Sequence, residues 1–202
     1  MATEISRTRG RPRRFDRDAA IATAQRLFYA RGYDAVSVAD LTDALGINPP
    51  SFYAAFGSKA GLYARVLERY ETTGAVPFAR LLRRDRPVVE CLAALLEETA
   101  HRYAANPDAA GCLVVEGTHC NDQSAREATL PYNLAAETMI RRYIAERHPD
   151  EAERLTDFVA TTMFGMSAKA RQGHSLDQLL ATARLAGAAL ESAVTSEVDS
   201  GL

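Results

Sequence analysis

Four residues near the middle of the chain carry side chains that bind metals or react: Cys112, Glu116, His119 and Cys120. They stand at i, i+4, i+7 and i+8, so a helix over 112–120 places all four within an arc of about 100°. Thiolate, imidazole and carboxylate on one face suit zinc or copper(I). They also suit a thiol sensor, with His119 lowering a neighbouring cysteine's pKa. Cys112 and Cys120 cannot pair within one helix, because eight residues rise about 12 Å. The plainer reading is core. Buried cysteines act as small apolar residues, and Gly117 weakens the helix that would align the ligands. With Cys91 the chain has three cysteines, which is no disulfide framework.

A second chemistry lies at the start. Arg7, Arg9, Arg11, Arg13 and Arg14 face only Glu4. Arg9–Gly10–Arg11–Pro12 has the form of an AT-hook core: proline favours an extended backbone, and the flanking arginines suit a narrow, negative minor groove. The alternative is a basic tail that aids solubility. Catalytic signatures are missing: there is no Gly-rich phosphate loop, no nucleophile elbow and no HExxH. The chain is not expected to be an enzyme or to need a cofactor.

These groups must be positioned, and residues 37–59 are the stretch that does so. Ser37 suits a helix N-cap, with Asp40 near the positive end. Val38, Leu41 and Leu45 follow at helical spacing. Gly46 reverses the chain, and Ile47 plugs the space between two helices. Asn48 is a second N-cap, and Pro49 suits the first helical position. Phe52 and Phe56 face inward, Gly57 ends the helix, and Ser58 caps the next with Lys59 at its N-terminus. This is a helix-turn-helix, whose second helix enters the DNA major groove; an ordinary helical hairpin is the alternative.

With Ala24, Leu27, Phe28, Gly32–Tyr33, Ser37–Val38, Leu41, Ala44–Leu45–Gly46–Ile47, Phe52–Tyr53, Phe56, Ser58–Lys59 and Leu62, the first third of the chain resembles the TetR family of transcriptional regulators. The resemblance implies an all-α homodimer. An N-terminal head binds a palindromic operator in double-stranded DNA, and a helical body dimerises and holds a small-molecule effector that releases the repressor. Family members often carry a phosphate-holding histidine two residues after the tyrosine; here that position is Ala55.

Length and charge agree with this division. The 202 residues allow one or two domains. Residues 1–62 hold nine Arg/Lys against six Asp/Glu, and residues 63–202 hold fifteen against twenty, within a net charge of −2. A basic head on an acidic body points to nucleic acid at the head. With no run of eighteen apolar residues and no signal-peptide pattern, the chain is expected to be soluble and cytoplasmic, with no membrane partner.

The expected organisation is a basic arm over 1–13, a three-helix helix-turn-helix domain over 14–74, and a helical ligand-binding and dimerisation domain over 75–202. In the head, Asp16 caps a helix to about Arg31, and the Ser58 helix runs to about Thr72. In the body, helices are expected over 87–104, from Gly111 onward, over 124–148 with Pro131 inside, over 150–172, and from the Ser175 cap to about Ser196. Phe158, Thr162, Gly165, Met166 and Lys169 form one stripe, and Leu179, Ala183, Ala186, Leu190 and Ala193 another. Two such helices from each of two chains would make a four-helix dimer interface; the alternative is that the stripes close the monomer's own core. Candidate pocket residues are Phe78, Leu82, Tyr103, Cys112, Glu116, His119, Tyr132, Met139, Phe158 and Met163. Candidate DNA contacts are Arg9, Arg11, Arg13, Arg14, Ser37, Asn48, Pro49, Pro50, Ser51, Tyr53, Ala54 and Lys59, with Ser37, Tyr53 and Lys59 on phosphates. A metal- or thiol-responsive regulator built on Cys112, His119 and Cys120, and a helical adaptor without DNA binding, remain the other classes.

From Asn48 to Phe56 the chain has no Arg, Lys or Gln, so the strong bidentate contacts to guanine are missing and only Asn48 could make one to adenine. Specificity then falls to thymine methyl contacts, DNA shape and the arm. Deleting residues 1–11 is expected to cost affinity most on operators with A·T-rich flanks. The comparison is full-length against truncated protein on two operators differing only in that flank; equal losses would reduce the arm to nonspecific charge.

Overall fold

The computed structural model describes residues 15–195, and among them every regular element is helical. The arm arginines Arg9, Arg11, Arg13 and Arg14 lie outside the described residues. α1 (Arg17–Arg31) starts at Asp16, whose carboxylate accepts from the amides of Asp18 and Ala19. α2 (Val38–Leu45) starts with a reciprocal capping box between Ser37 and Asp40 and ends at Gly46, which is left-handed at φ 64°. α3 (Pro49–Phe56) starts at Asn48 with proline in its first turn, and α4 (Lys59–Thr73) at Ser58. Each expected cap is in place.

The body follows with α5 (Phe78–Leu81), α6 (Val88–Ala104), a 3-10 turn (Pro107–Ala109), α7 (Leu113–Gly117), α8 (Gln123–Ala145), α9 (Ala152–Arg171) and α10 (Leu176–Thr195). The short α5 was not expected. Pro131 lies inside α8 at an exposed position, where it lacks the N–H of one intrahelical hydrogen bond. Ser175 caps α10 reciprocally with Gln178.

Two apolar cores result. One packs Phe28, Tyr33, Leu41, Phe52, Leu62, Tyr63 and Leu67 of the head, and Leu113, Cys120 and Ala125 of the body close it. The other joins α6, α8, α9 and α10, with α10 lying along α6 in the most extensive helix pairing of the molecule. There Gly187 lies so near α6 that a side chain would press on the Ala93 Cβ at 3.1 Å.

The stripes divide differently from the four-helix expectation. Met166, Leu179, Ala183, Ala186 and Leu190 are buried in the monomer's own core, where small residues let α10 approach α6. Facing outward are Phe158, Thr162, Gly165 and Lys169 of α9, beside Thr182, Leu185 and Ala189 of α10; Leu185 is 74% exposed. Ala186 is buried but also lines the floor of the groove beside Leu185, so Ala186→Glu sets an unpaired carboxylate among apolar side chains there. The expected result is a loss of about 3–5 kcal/mol of stability, read as a lowered urea midpoint whatever the oligomeric state.

Candidate nucleic-acid interface

The exposed surface of the head is built by α2, the turn at Gly46–Ile47 and α3. Phe52 is fully buried and Phe56 partly so, which leaves Asn48, Pro49, Pro50, Ser51, Tyr53 and Ala54 open to solvent together. The structure thus brings the expected recognition set onto one face. Asn48 spends part of its hydrogen-bonding capacity locally, since its side-chain oxygen accepts from the Ser51 amide at 2.9 Å. Its amide N–H groups and a second lone pair remain. Tyr53, 51% exposed, stands at the edge of that face with its ring against Phe52. At the other end of α3, Phe15 meets Phe56 edge-on at 5.9 Å and ties the start of the described chain to the recognition helix.

Two expected phosphate contacts have other commitments. The Ser37 hydroxyl donates to Asp40, while its backbone amide donates to the same carboxylate at 2.8 Å. Arg31 pairs with Asp40 at 2.7 Å and also donates to the Ala35 carbonyl. Arg31, and then Ser37, hold the Asp40 carboxyl well below the usual range. Lys59 is turned inward: its ammonium donates to the carbonyls of Tyr33 and Val36, both at 3.0 Å, and stands 3.9 Å from the Tyr33 ring centre. Two of its three donors therefore brace the turn between α1 and α2. No local pattern reveals this, because the carbonyls lie 26 and 23 residues upstream.

Behind the head lies a cavity of about 300 Å³ between α4, α5, α6, α7, α8 and α9. Phe78, Tyr103, Cys112, Tyr132, Met139 and Met163 line it as expected, joined by Tyr70, Val114, Val115 and Phe164. Four expected residues do not. Leu82 packs against the body core, and Glu116 pairs with Arg171 at 3.0 Å. His119 is exposed, its ring edge-on to Phe164, and Phe158 lies on the outer face of α9. At the inner wall the Tyr70 hydroxyl donates to the Cys112 sulfur at 3.4 Å, and Tyr103 lies beside the same thiol. Burial, with Cys112 beside them, pushes both hydroxyls up, so they stay protonated.

The ligand cluster suggested by spacing does not assemble. α7 has only five residues; Cys112 is its N-cap, and Cys120 lies in the turn beyond it. α7 ends at Gly117, which lies hard against its neighbours: a side chain there would meet Thr129 Oγ1 at 2.4 Å and the Tyr63 hydroxyl at 2.6 Å. The chain is pressed against α8 and α4 instead of continuing as a helix. The four side chains take separate partners, and among the described residues no three His, Cys, Asp or Glu groups stand together as metal ligands.

Residues 20–66 match the family model described as bacterial regulatory proteins, tetR family. Over 186 residues, 92% of this chain and 94% of the relative, the sequence is 58% identical to the HTH-type transcriptional repressor BdcR of Escherichia coli (strain K12). The chain belongs to the TetR family. It is also 32% identical to the HTH-type transcriptional repressor ComR of the same organism, over 89% of this chain and 93% of the relative. Among solved structures, a cysteine mutant of the TetR family regulator CifR, complexed with 26-base-pair operator DNA, is similar at 34% identity and TM-score 0.79, covering 89% of this chain and 99% of that one. The TetR head described above is thus that of a DNA-binding transcriptional regulator, and the exposed α3 face is its helix-turn-helix surface.

Lys59→Met keeps the aliphatic stem and removes the ammonium. It is expected to cost about 1–3 kcal/mol, because two backbone acceptors lose a charged donor, and to lower the urea midpoint. A variant as stable as the parent would free Lys59 for phosphate.

Proposed function

We propose that the chain is a cytoplasmic, homodimeric repressor that binds a palindromic operator through α3 and leaves it when a small, largely apolar molecule enters the cavity. The observation that carries this reading is the solvent-facing α3 surface, Asn48 to Ala54, standing on a fully capped helix-turn-helix. A neighbour of the same fold complexed with operator DNA supports it. The division of labour falls at Gly74: residues 14–74 read DNA, with the arm over 1–13 in the minor groove, and residues 75–202 carry the dimer contacts and the effector. Pro50 and Ala54 offer methylene and methyl groups to thymine, Asn48 reaches adenine, and Tyr53 takes a phosphate.

Dimerisation is supported by the apolar groove between α9 and α10, where Phe158 and Leu185 are exposed and Gly165 leaves open space. An effector is supported by the cavity, which has the size of a small ligand site and a lining of tyrosine, phenylalanine, valine and methionine. Of its charged neighbours, Glu71 and Arg80 are exposed and the half-buried Glu137 accepts from Asn133, so a largely apolar molecule suits the interior. Release requires that this molecule bind two head arrangements with unequal affinity.

Selection of duplexes from a random pool by the full-length protein is expected to yield paired, inverted half-sites one helical turn (~34 Å) or a multiple apart. Unpaired or unenriched sequences would overturn the reading. Leu185→Glu, on the outward face, is expected to give a folded monomer in sedimentation with operator affinity lost. A dimer that binds normally would move the interface elsewhere.

A further inference from the structure

The turn between α1 and α2, residues 32–37, is held from two sides. From the head, Lys59 grips the carbonyls of Tyr33 and Val36. From the body, Asp122 and Asn121, in the turn between α7 and α8, grip its side chains. The Tyr33 hydroxyl donates to Asp122 Oδ2 at 2.7 Å, and the Asn121 amide donates to Asp34 Oδ2 at 2.8 Å. The body side of this clasp is itself braced. Asp122 Oδ1 accepts from the amides of Ser124 and Ala125 and so caps α8. Arg126 donates to the carbonyls of Cys120 and Asn121. The clasped segment leads directly into Ser37, the cap of α2, and so into the helix-turn-helix.

The ring and the hydroxyl of Tyr33 have separable tasks. The ring is buried, stacked on Phe28 at 5.5 Å and edge-on to Tyr63 at 4.8 Å, and the Lys59 ammonium stands over it. The hydroxyl alone crosses to the body, 89 residues away in sequence, as a charge-assisted bond to a carboxylate. Burial, and then Asp122, push the hydroxyl's pKa up; the hydroxyl and the α8 amides hold Asp122 down. The pair stays a neutral donor on an ionised acceptor across the physiological range.

We propose that Tyr33 is a positioning residue for operator binding: its hydroxyl, anchored on Asp122, sets the orientation of the α2–α3 unit on the body and thereby the spacing of the two recognition helices. This rests on the dimeric reading above. A dimer reads half-site spacing only as sharply as its heads are held, since a loosely held head reaches neighbouring registers at little cost. Val114 and Val115 in the cavity wall belong to α7, which leads into the body side of this clasp, so the clasp is one contact, beside that of Tyr63 on the Leu113 carbonyl, through which a displaced α7 would reach the head.

The test uses the full-length protein, the operator it selects, and versions of that operator with one or two base pairs inserted at the centre. Tyr33→Phe keeps the stacked ring and removes only the hydroxyl. Affinity for the selected operator is expected to fall roughly five- to tenfold, within the range of ordinary coupling between sites, while the loss on changing the spacing becomes shallower than in the parent. A residue that served stability alone would leave that spacing profile unchanged. Asp122→Asn retains an oxygen to cap α8 but turns an amide toward the tyrosine, and is expected to flatten the profile in the same way. Folded variants with the parent's spacing profile would overturn the proposal. So would two variants that both fail to fold, since the pair would then be a folding contact. A selection without paired half-sites would overturn the dimeric reading and this proposal together; paired half-sites with an unchanged profile would overturn this proposal alone.

Discussion

The head depends on three rings. Phe28 from α1 and Tyr33 from the following turn stack on each other, and Tyr63 from α4 meets both edge-on, with centroids 4.8–5.5 Å apart. Each buries a large apolar area and gains further from the stacked and edge-to-face geometry. Without this cluster α2 and α3, eight residues each, have no reason to persist, because helices this short are marginal in water. The cluster also joins the two halves of the chain. The Tyr63 hydroxyl donates to the Leu113 carbonyl at 3.0 Å, and the Tyr33 hydroxyl reaches Asp122. A phenylalanine core would keep the ring packing but lose these two hydrogen bonds to the body.

What was legible in the chain follows from how local each signal is. Ser37, Gly46, Asn48, Pro49 and Ser58 act within four residues of themselves, so caps and breakers could be read in order and all are found in place. Lys59 misled because its partners lie upstream in sequence: a lysine at a helix N-terminus beside a DNA-reading unit looks free, and only the fold reveals two carbonyls beneath it. The cluster at 112–120 misled for the opposite reason. Its spacing was a helical argument, and α7 stops at Gly117, whose missing side chain serves contacts to α4 and α8 that spacing cannot show.

The stripes on α9 and α10 illustrate a different limit. Small residues permit close approach, but they do not say to which neighbour. Ala183, Ala186 and Gly187 admit α6 of the same chain, with Ala93 opposite the glycine. That inward packing leaves larger apolar residues, Phe158 and Leu185, on the outside, where a small-residue stripe would not direct attention. In a helix that packs on both sides, the residue left exposed and large says more about an external partner than the residue that is small.

A recognition helix without a cation has a physical consequence for how the TetR head works. Phosphate neutralisation supplies most sequence-independent affinity, and α3 offers none of it: its outward groups are proline, serine, alanine, the tip of Asn48 and a tyrosine hydroxyl. Arg31 is partly neutralised by Asp40, and Lys59 is turned to the backbone. The basic excess of the first 62 residues therefore rests largely on the arginines before Asp16. On the reading proposed above, attraction falls to the arm and reading to α3, and parts so divided need a fixed relation to be useful. Phe15 against Phe56 gives one end of that relation, joining the base of the arm to the end of α3. The clasp on residues 32–37 gives the other, joining the start of α2 to the body. A helix that gains little from charge must gain from fit, and fit is worth having only when the orientation of α3 is held this closely.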